Sequence, residues 1–183
     1  MYRLSQPNAA IAAYVESYWF LQASADAPVD LAVSVFVDAR ADLIFNFGAP
    51  YARTRTGEPT RYYGDSSLDA QRLYPIKISQ KGDVHVAGAR FHTAGLAPFV
   101  KAPVHKWNNR VVPIAEVFGE SALSLERELF AAGADIRAKT QLLDHYFVER
   151  LRLTAGQQTL HRLKSEIERQ CGMIRIDDLC DFG

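Results

Sequence analysis

The chain has 183 residues and a mass of 20.4 kDa, with 48% apolar residues, so it can fold as one ordinary domain plus a short appendage and bury a real core. Dominant disorder is excluded by that composition. Lys plus Arg equals Asp plus Glu at 21 each, a neutral balance that gives no whole-chain attraction to a polyanion such as nucleic acid. Cys171 and Cys180 both lie near the C-terminus and do not frame a disulfide scaffold. Glu16 interrupts the first apolar stretch, so it does not read as a signal peptide, and no run reaches the length of a membrane span. The expectation is a soluble, cytoplasmic protein that does not engage a membrane.

The neutral total hides an uneven distribution. Residues 51–113 carry ten basic and four acidic side chains, net +6, between more acidic flanks. Arg53, Arg55, Arg61, Arg72, Lys77 and Lys81 supply most of this excess, in company with Tyr51, Tyr62, Tyr63 and Tyr74. Two readings fit: an anion-binding surface of Arg and Tyr donors, or solvated charge that pairs with the acidic segments.

In chain order, Ile11, Tyr14, Val15, Tyr18, Trp19 and Phe20 recur at three-to-four spacing behind Pro7-Asn8, which predicts a first helix with Asn8 as N-cap. From Leu31 to Val37 β-branched and aromatic residues predict a strand. A turn at 38–42 and a second strand at 43–47 would complete a hairpin. Further β segments are predicted around Tyr62–Gly64, Leu73–Ser79 (edge or bulged because of Pro75) and Val84–Phe91, with a tight turn at Gln80-Lys81-Gly82-Asp83. Leu96–Val100 could form a short helix. From Ile114 the chain reads as helical, with apolar stripes at Leu123, Leu125, Leu129 and Phe130, then Leu142, Leu143, Tyr146, Phe147 and Leu151, then Leu160, Leu163 and Ile167. The predicted class is α+β: an antiparallel β-barrel or sandwich after an N-terminal helix and before a C-terminal helical region.

Motifs for chemistry are sparse. There is no Gly-x-Ser-x-Gly, no Cys-x-x-Cys and no Gly-rich phosphate loop. His85 and His92 are seven apart, so on one unbroken strand they face opposite ways, and a metal site through the pair would need a bulge between them. The expectation is therefore no catalytic residues, no metal and no cofactor. Arg90 stands out within Val84–His92. Alternation puts it on the face of Val84, Val86 and Gly88, where a guanidinium needs a carboxylate, a carbonyl cage or an anionic ligand. Arg90, Asn46, Trp19, Tyr62 and Tyr63 are the candidate ligand-binding residues, against the alternative of an internal salt bridge from Arg90 to an acid such as Asp38 or Asp42.

Several stretches, taken in order, resemble the N-terminal region of AraC-type transcriptional regulators. They are Tyr18-Trp19, Asp42-Leu43-Ile44-Phe45-Asn46-Phe47-Gly48, Val86-Ala87-Gly88-Ala89-Arg90-Phe91 with Ala94-Gly95, and Arg110-Val111-Val112-Pro113-Ile114. The resemblance covers nearly the whole chain. It implies a cupin-like sensor module over 1–113, a helical dimerisation and linker region over 114–171, and at 172–183 a truncated start of a helix-turn-helix DNA-binding domain, whose opening helix resembles Ile176-Asp177-Asp178-Leu179-Cys180-Asp181-Phe182-Gly183. It further implies a small-molecule effector, a homodimer, and DNA binding through the missing C-terminal helices, with no DNA-binding residue within this chain. The alternative is a stand-alone cupin-like small-molecule binder or enzyme.

Overall fold

The computed structural model describes residues 1–23 and 29–180. Among them are ten strands and five α-helices: β1 (Tyr2–Ser5), β2 (Val15–Ala23), β3 (Val29–Val35), β4 (Ala41–Asn46), β5 (Tyr51–Thr54), β6 (Arg61–Tyr63), β7 (Ser67–Asp69), β8 (Ile76–Gly82), β9 (Val84–Phe91) and β10 (Val111–Pro113), then α1 (Ile114–Phe118), α2 (Glu120–Ala131), α3 (Ile136–Arg150), α4 (Ala155–Arg169) and α5 (Ile176–Cys180). Two 3₁₀ turns, Ala97–Phe99 and Val104–Trp107, fill the passage from β9 to β10. All pairings are antiparallel, in a six-stranded sheet ordered β1-β2-β9-β4-β7-β10 and a four-stranded sheet ordered β3-β8-β5-β6. The α+β class with an antiparallel two-sheet body and a helical C-terminal region is as the sequence predicts.

The larger sheet is buried on both faces because two separate layers cover it. One face carries Tyr18, Phe20, Leu43, Phe45, Ala87, Ala89 and Phe91, and packs against Leu125 and Leu129 of α2 and Leu143, Tyr146 and Phe147 of α3. The opposite face carries Trp19, Leu21, Ile44, Val84 and Val86, and meets Tyr51, Tyr63 and Ile78 of the smaller sheet. β4, buried at all six positions, and β9 run through the centre and contribute to both cores. Strict alternation along β9 thus divides its side chains between a helix-facing and a sandwich-facing set.

The predicted N-terminal helix is not formed. Asn8 instead opens a turn, its Oδ1 accepting from the Ala10 amide at 2.9 Å, and Tyr14 and Val15 donate back to the Ile11 carbonyl. The rest of the apolar run is β2, whose pairing with β9 shifts register between Val15 and Ser17. The bulge puts Val15 on the same core as Tyr18, a three-residue gap that imitates a helical stripe.

The predicted hairpin is also absent, since β3 pairs with β8 in the smaller sheet whereas β4 lies between β9 and β7 in the larger. The predicted tight turn at 80–83 is not formed: Gln80, Lys81 and Gly82 continue β8, paired with β3, and Asp83 alone carries the chain from one sheet to the other, with Gly82 at φ 90°. β8 is an internal strand, and Pro75 precedes it rather than marking an edge. Of the proposed helix-turn-helix start, α5 is helical, and Asp181-Phe182-Gly183 lie outside the described residues. No helix of the described residues is long and apolar enough to cross a membrane.

Candidate functional site: a charged row inside the sandwich

Antiparallel pairing places directly opposed residues on the same face of a sheet. Arg90 of β9 is opposite Asp42 of β4, and Asp42 is opposite Asp69 of β7, so the three form one rung across the larger sheet, on the side that faces the smaller one. Two carboxylates abreast repel each other unless cations intervene. Arg90 answers Asp42 with a two-pronged contact, Nε to Oδ1 at 2.9 Å and Nη2 to Oδ2 at 3.2 Å. Asp69 is held by two further arginines: Arg72 Nη1 donates to Oδ2 at 2.8 Å, and Arg53, projecting from β5 of the opposing sheet, brings Nη2 to 3.4 Å from Oδ1.

Accessibility separates the two halves of this row. Arg90 keeps about a third of its side chain in solvent. Asp69, Arg72 and Arg53 are only 2%, 3% and 9% exposed. Burial pushes the Asp69 carboxyl up, against the pull of Arg72 and Arg53. Burial pulls Arg90 down, but hydrogen bonding and the charge of Asp42 outweigh it and raise the guanidinium above its ordinary value. Three guanidiniums meet two carboxylates, leaving one excess positive charge. The Nε atoms of both Arg53 and Arg72 are buried and, among the described residues, without a hydrogen-bond partner.

The surroundings are aromatic. Trp19 donates Nε1–H to Asp42 Oδ1 at 3.2 Å and lies flush on β9 at Gly88, where any Cβ would overlap the indole. Tyr51 stacks on Tyr63 at 5.5 Å, and burial pushes its phenol up to about 12. Its hydroxyl lies 3.4 Å from Ser67 Oγ.

The five candidates from the sequence are distributed as follows. Arg90 and Trp19 both touch Asp42, so the carboxylate suggested as the internal partner of Arg90 is the one it uses. Asn46 faces the same interior but is occupied in bracing loops: its Nδ2 donates to the carbonyls of Gly64 at 2.9 Å and Ala49 at 3.2 Å. Tyr63 lines the smaller core, and Tyr62 points out, 74% exposed. Sequence reasoning missed Asp69 altogether, and it counted Arg53 only in the basic excess of residues 51–113, with no strand there. The signal for Arg53 was the alternation Tyr51-Ala52-Arg53, hidden by the Gly, Pro and Thr that follow. Of the basic cluster, Arg53 and Arg72 turn inward while Arg55 pairs with Glu58 and Lys81 with Asp30 at the surface.

His85 turns to the helix side, where its Nε2 is 2.9 Å from Lys139 Nζ, while His92 lies beside Glu16. Among the described residues no three His, Cys, Asp or Glu side chains converge to hold a metal ion. A groove of about 500 Å³ runs between α4, α5 and Thr93-Ala94, but its walls are chiefly Leu160, Leu163, Ile167, Ile176 and Leu179.

No curated protein and no solved structure matches this sequence. One family model does match, over residues 3–113, from β1 to the end of β10. That span is well over half of the chain, and the protein therefore belongs to DUF6597, a family defined by a domain of unknown function.

Proposed function

We propose that this chain is the effector-sensing and dimerisation region of an AraC-type DNA-binding transcriptional regulator, with residues 1–113 as a cupin-like sensor module, 114–171 as a helical dimerisation and linker region, and 172–183 as the first part of a helix-turn-helix domain. The observation that carries the sensing role is the row of three arginines and two aspartates between the sheets. A sandwich built for stability alone does as well or better with apolar residues there, because desolvating ion pairs offsets most of their attraction. Oriented donors beside aromatic walls are what a small-molecule site requires. The ordered motifs resembling AraC-type regulators, from Tyr18-Trp19 to Ile114, support the regulatory half of the reading.

Self-association in this reading does not use the stripe of α3, since Leu143, Tyr146 and Phe147 pack on the chain's own sheet. The exposed apolar side chains among the helices include Leu160 and Ile167 of α4. Two measurements test the proposal. The intact gene product should bind an operator-length duplex with sequence preference, and this chain should sediment as a dimer at tens of micromolar. A gene product with no DNA affinity removes the regulator reading and favours a stand-alone binder or enzyme. A strict monomer removes the dimerisation role.

A further inference from the structure

We propose that Arg53 and Arg72 bind a small monoanionic carboxylate inside the sandwich, which specifies the ligand class of the sensor module and rests on that reading only in treating the ligand as a signal. Three observations converge on these two residues rather than on Arg90. Arg90 already spends two donors on Asp42, whereas Arg53 and Arg72 share the single carboxylate of Asp69 and leave both Nε–H groups unanswered. Each is more than nine-tenths buried, so bulk water does not answer those donors freely. The row also holds one guanidinium more than it holds carboxylates, and a buried uncompensated cation calls for a counter-anion.

The charge and shape of the site then select the anion. A monoanion closes the balance, while a phosphate near two negative charges reverses it. A planar carboxylate matches the fork of guanidinium donors and can accept from two arginines at once. Next to Arg53 on the same face of β5 is Tyr51, stacked on Tyr63, and Ile78 is directly opposite Arg53 on β8. These walls favour an acid with an aromatic or branched apolar body. Arg55 stacks on Tyr74 at 3.8 Å and so joins the two segments that carry Arg53 and Arg72.

The test measures thermal stability and calorimetric binding of this chain with sodium benzoate, sodium acetate and sodium phosphate, each against sodium chloride at equal ionic strength. Benzoate should raise the melting temperature saturably, acetate less so, and phosphate no more than chloride. Arg53→Gln and Arg72→Gln should each weaken benzoate at least about tenfold, with Lys81→Gln, at a surface pair outside the row, within about threefold of the parent. Circular dichroism checks that each variant folds; if Arg72→Gln does not, Arg53→Gln, which restores charge balance, decides alone. Benzoate and acetate both indistinguishable from chloride, a preference for phosphate, or undiminished binding by Arg53→Gln would each overturn the site. DNA binding by the intact gene product is read separately, so loss of this site leaves the regulator reading standing, and a carboxylate site without DNA binding leaves the site standing.

Discussion

Single residues on β9 carry the tightest constraints in the molecule. Gly88 is required by its neighbour across the strand, because Trp19 occupies the volume that a Cβ would need. Gly88→Ala should therefore displace the indole, disturb its bond to Asp42, and cost about 1–3 kcal/mol by overpacking, seen as a lower urea midpoint with an unchanged slope. Arg90→Leu should leave a folded protein. Its guanidinium is partly in solvent and Asp42 keeps the Trp19 donor, so the expected loss is about 1–2 kcal/mol, less than the roughly 3–5 kcal/mol of breaking a fully buried pair. A variant that fails to fold would show that Asp42 depends on Arg90 alone. Alternation in the sequence placed Arg90 on the inner face correctly because β9 is an unbroken strand. The same reasoning could not find Asp69, since a three-residue strand offers too few positions for a period to show.

At the scale of elements, the errors in reading the sequence have physical causes. A strand covered on both faces reads as a continuous apolar run, and Tyr18-Trp19-Phe20 belongs to β2 for that reason. The bulge at its start supplied the spurious helical spacing. Consecutive strands most often pair, but β3 and β4 part to different sheets, as do β8 and β9, and local sequence holds no signal for such a crossing. The helices were legible because α2 and α3 each bury one stripe. Between α3 and β9 lies the contact of Lys139 with His85, two basic groups facing each other. Burial and the nearby Lys139 charge lower the His85 pKa below its ordinary 6.5, with Asp83 opposing, and burial lowers Lys139 below 10.5. In both cases the unfolded chain binds more protons than the folded one between the lowered value and the ordinary one, so stability rises with pH through each window. The His85 contribution should be complete above about pH 6.5 and lost as pH falls through its lowered value. His92, lowered by burial and Lys164, adds a loss of the same sign. Urea midpoints from about pH 5 to 7 should show the acid loss, shallower in His85→Gln. Lys139→Met should flatten the rise on the alkaline side, and an unaltered pH profile in both variants would exclude this contact as its source.

For the whole molecule, the net +6 of residues 51–113 is the feature that would most easily be mistaken for a nucleic-acid surface. The fold disperses it. Arg53, Arg72 and Arg90 turn inward onto Asp69 and Asp42, Arg55 pairs with Glu58, and Lys81 pairs with Asp30, leaving Arg61, Lys77, Lys101, Lys106 and Arg110 as the exposed cations of that region outside these pairs. Counterion release scales with the number of phosphates neutralised, about 0.9 per contact in the slope of log affinity against log salt. With half of that region's ten cations held in ion pairs and a net charge of zero, these 183 residues should bind duplex DNA with a slope of magnitude about 5 or less, and no tighter than the roughly 10⁻⁴–10⁻⁶ M of non-specific binding. They also present no described basic helix of the length that enters a major groove, α5 having five residues and two aspartates in its first turn. Fluorescence anisotropy with unrelated duplexes should therefore give matching weak isotherms. A single sequence bound far more tightly than the others at physiological salt would mean that the chain reads DNA through a surface other than a recognition helix, and would move the DNA-binding role into the β module itself.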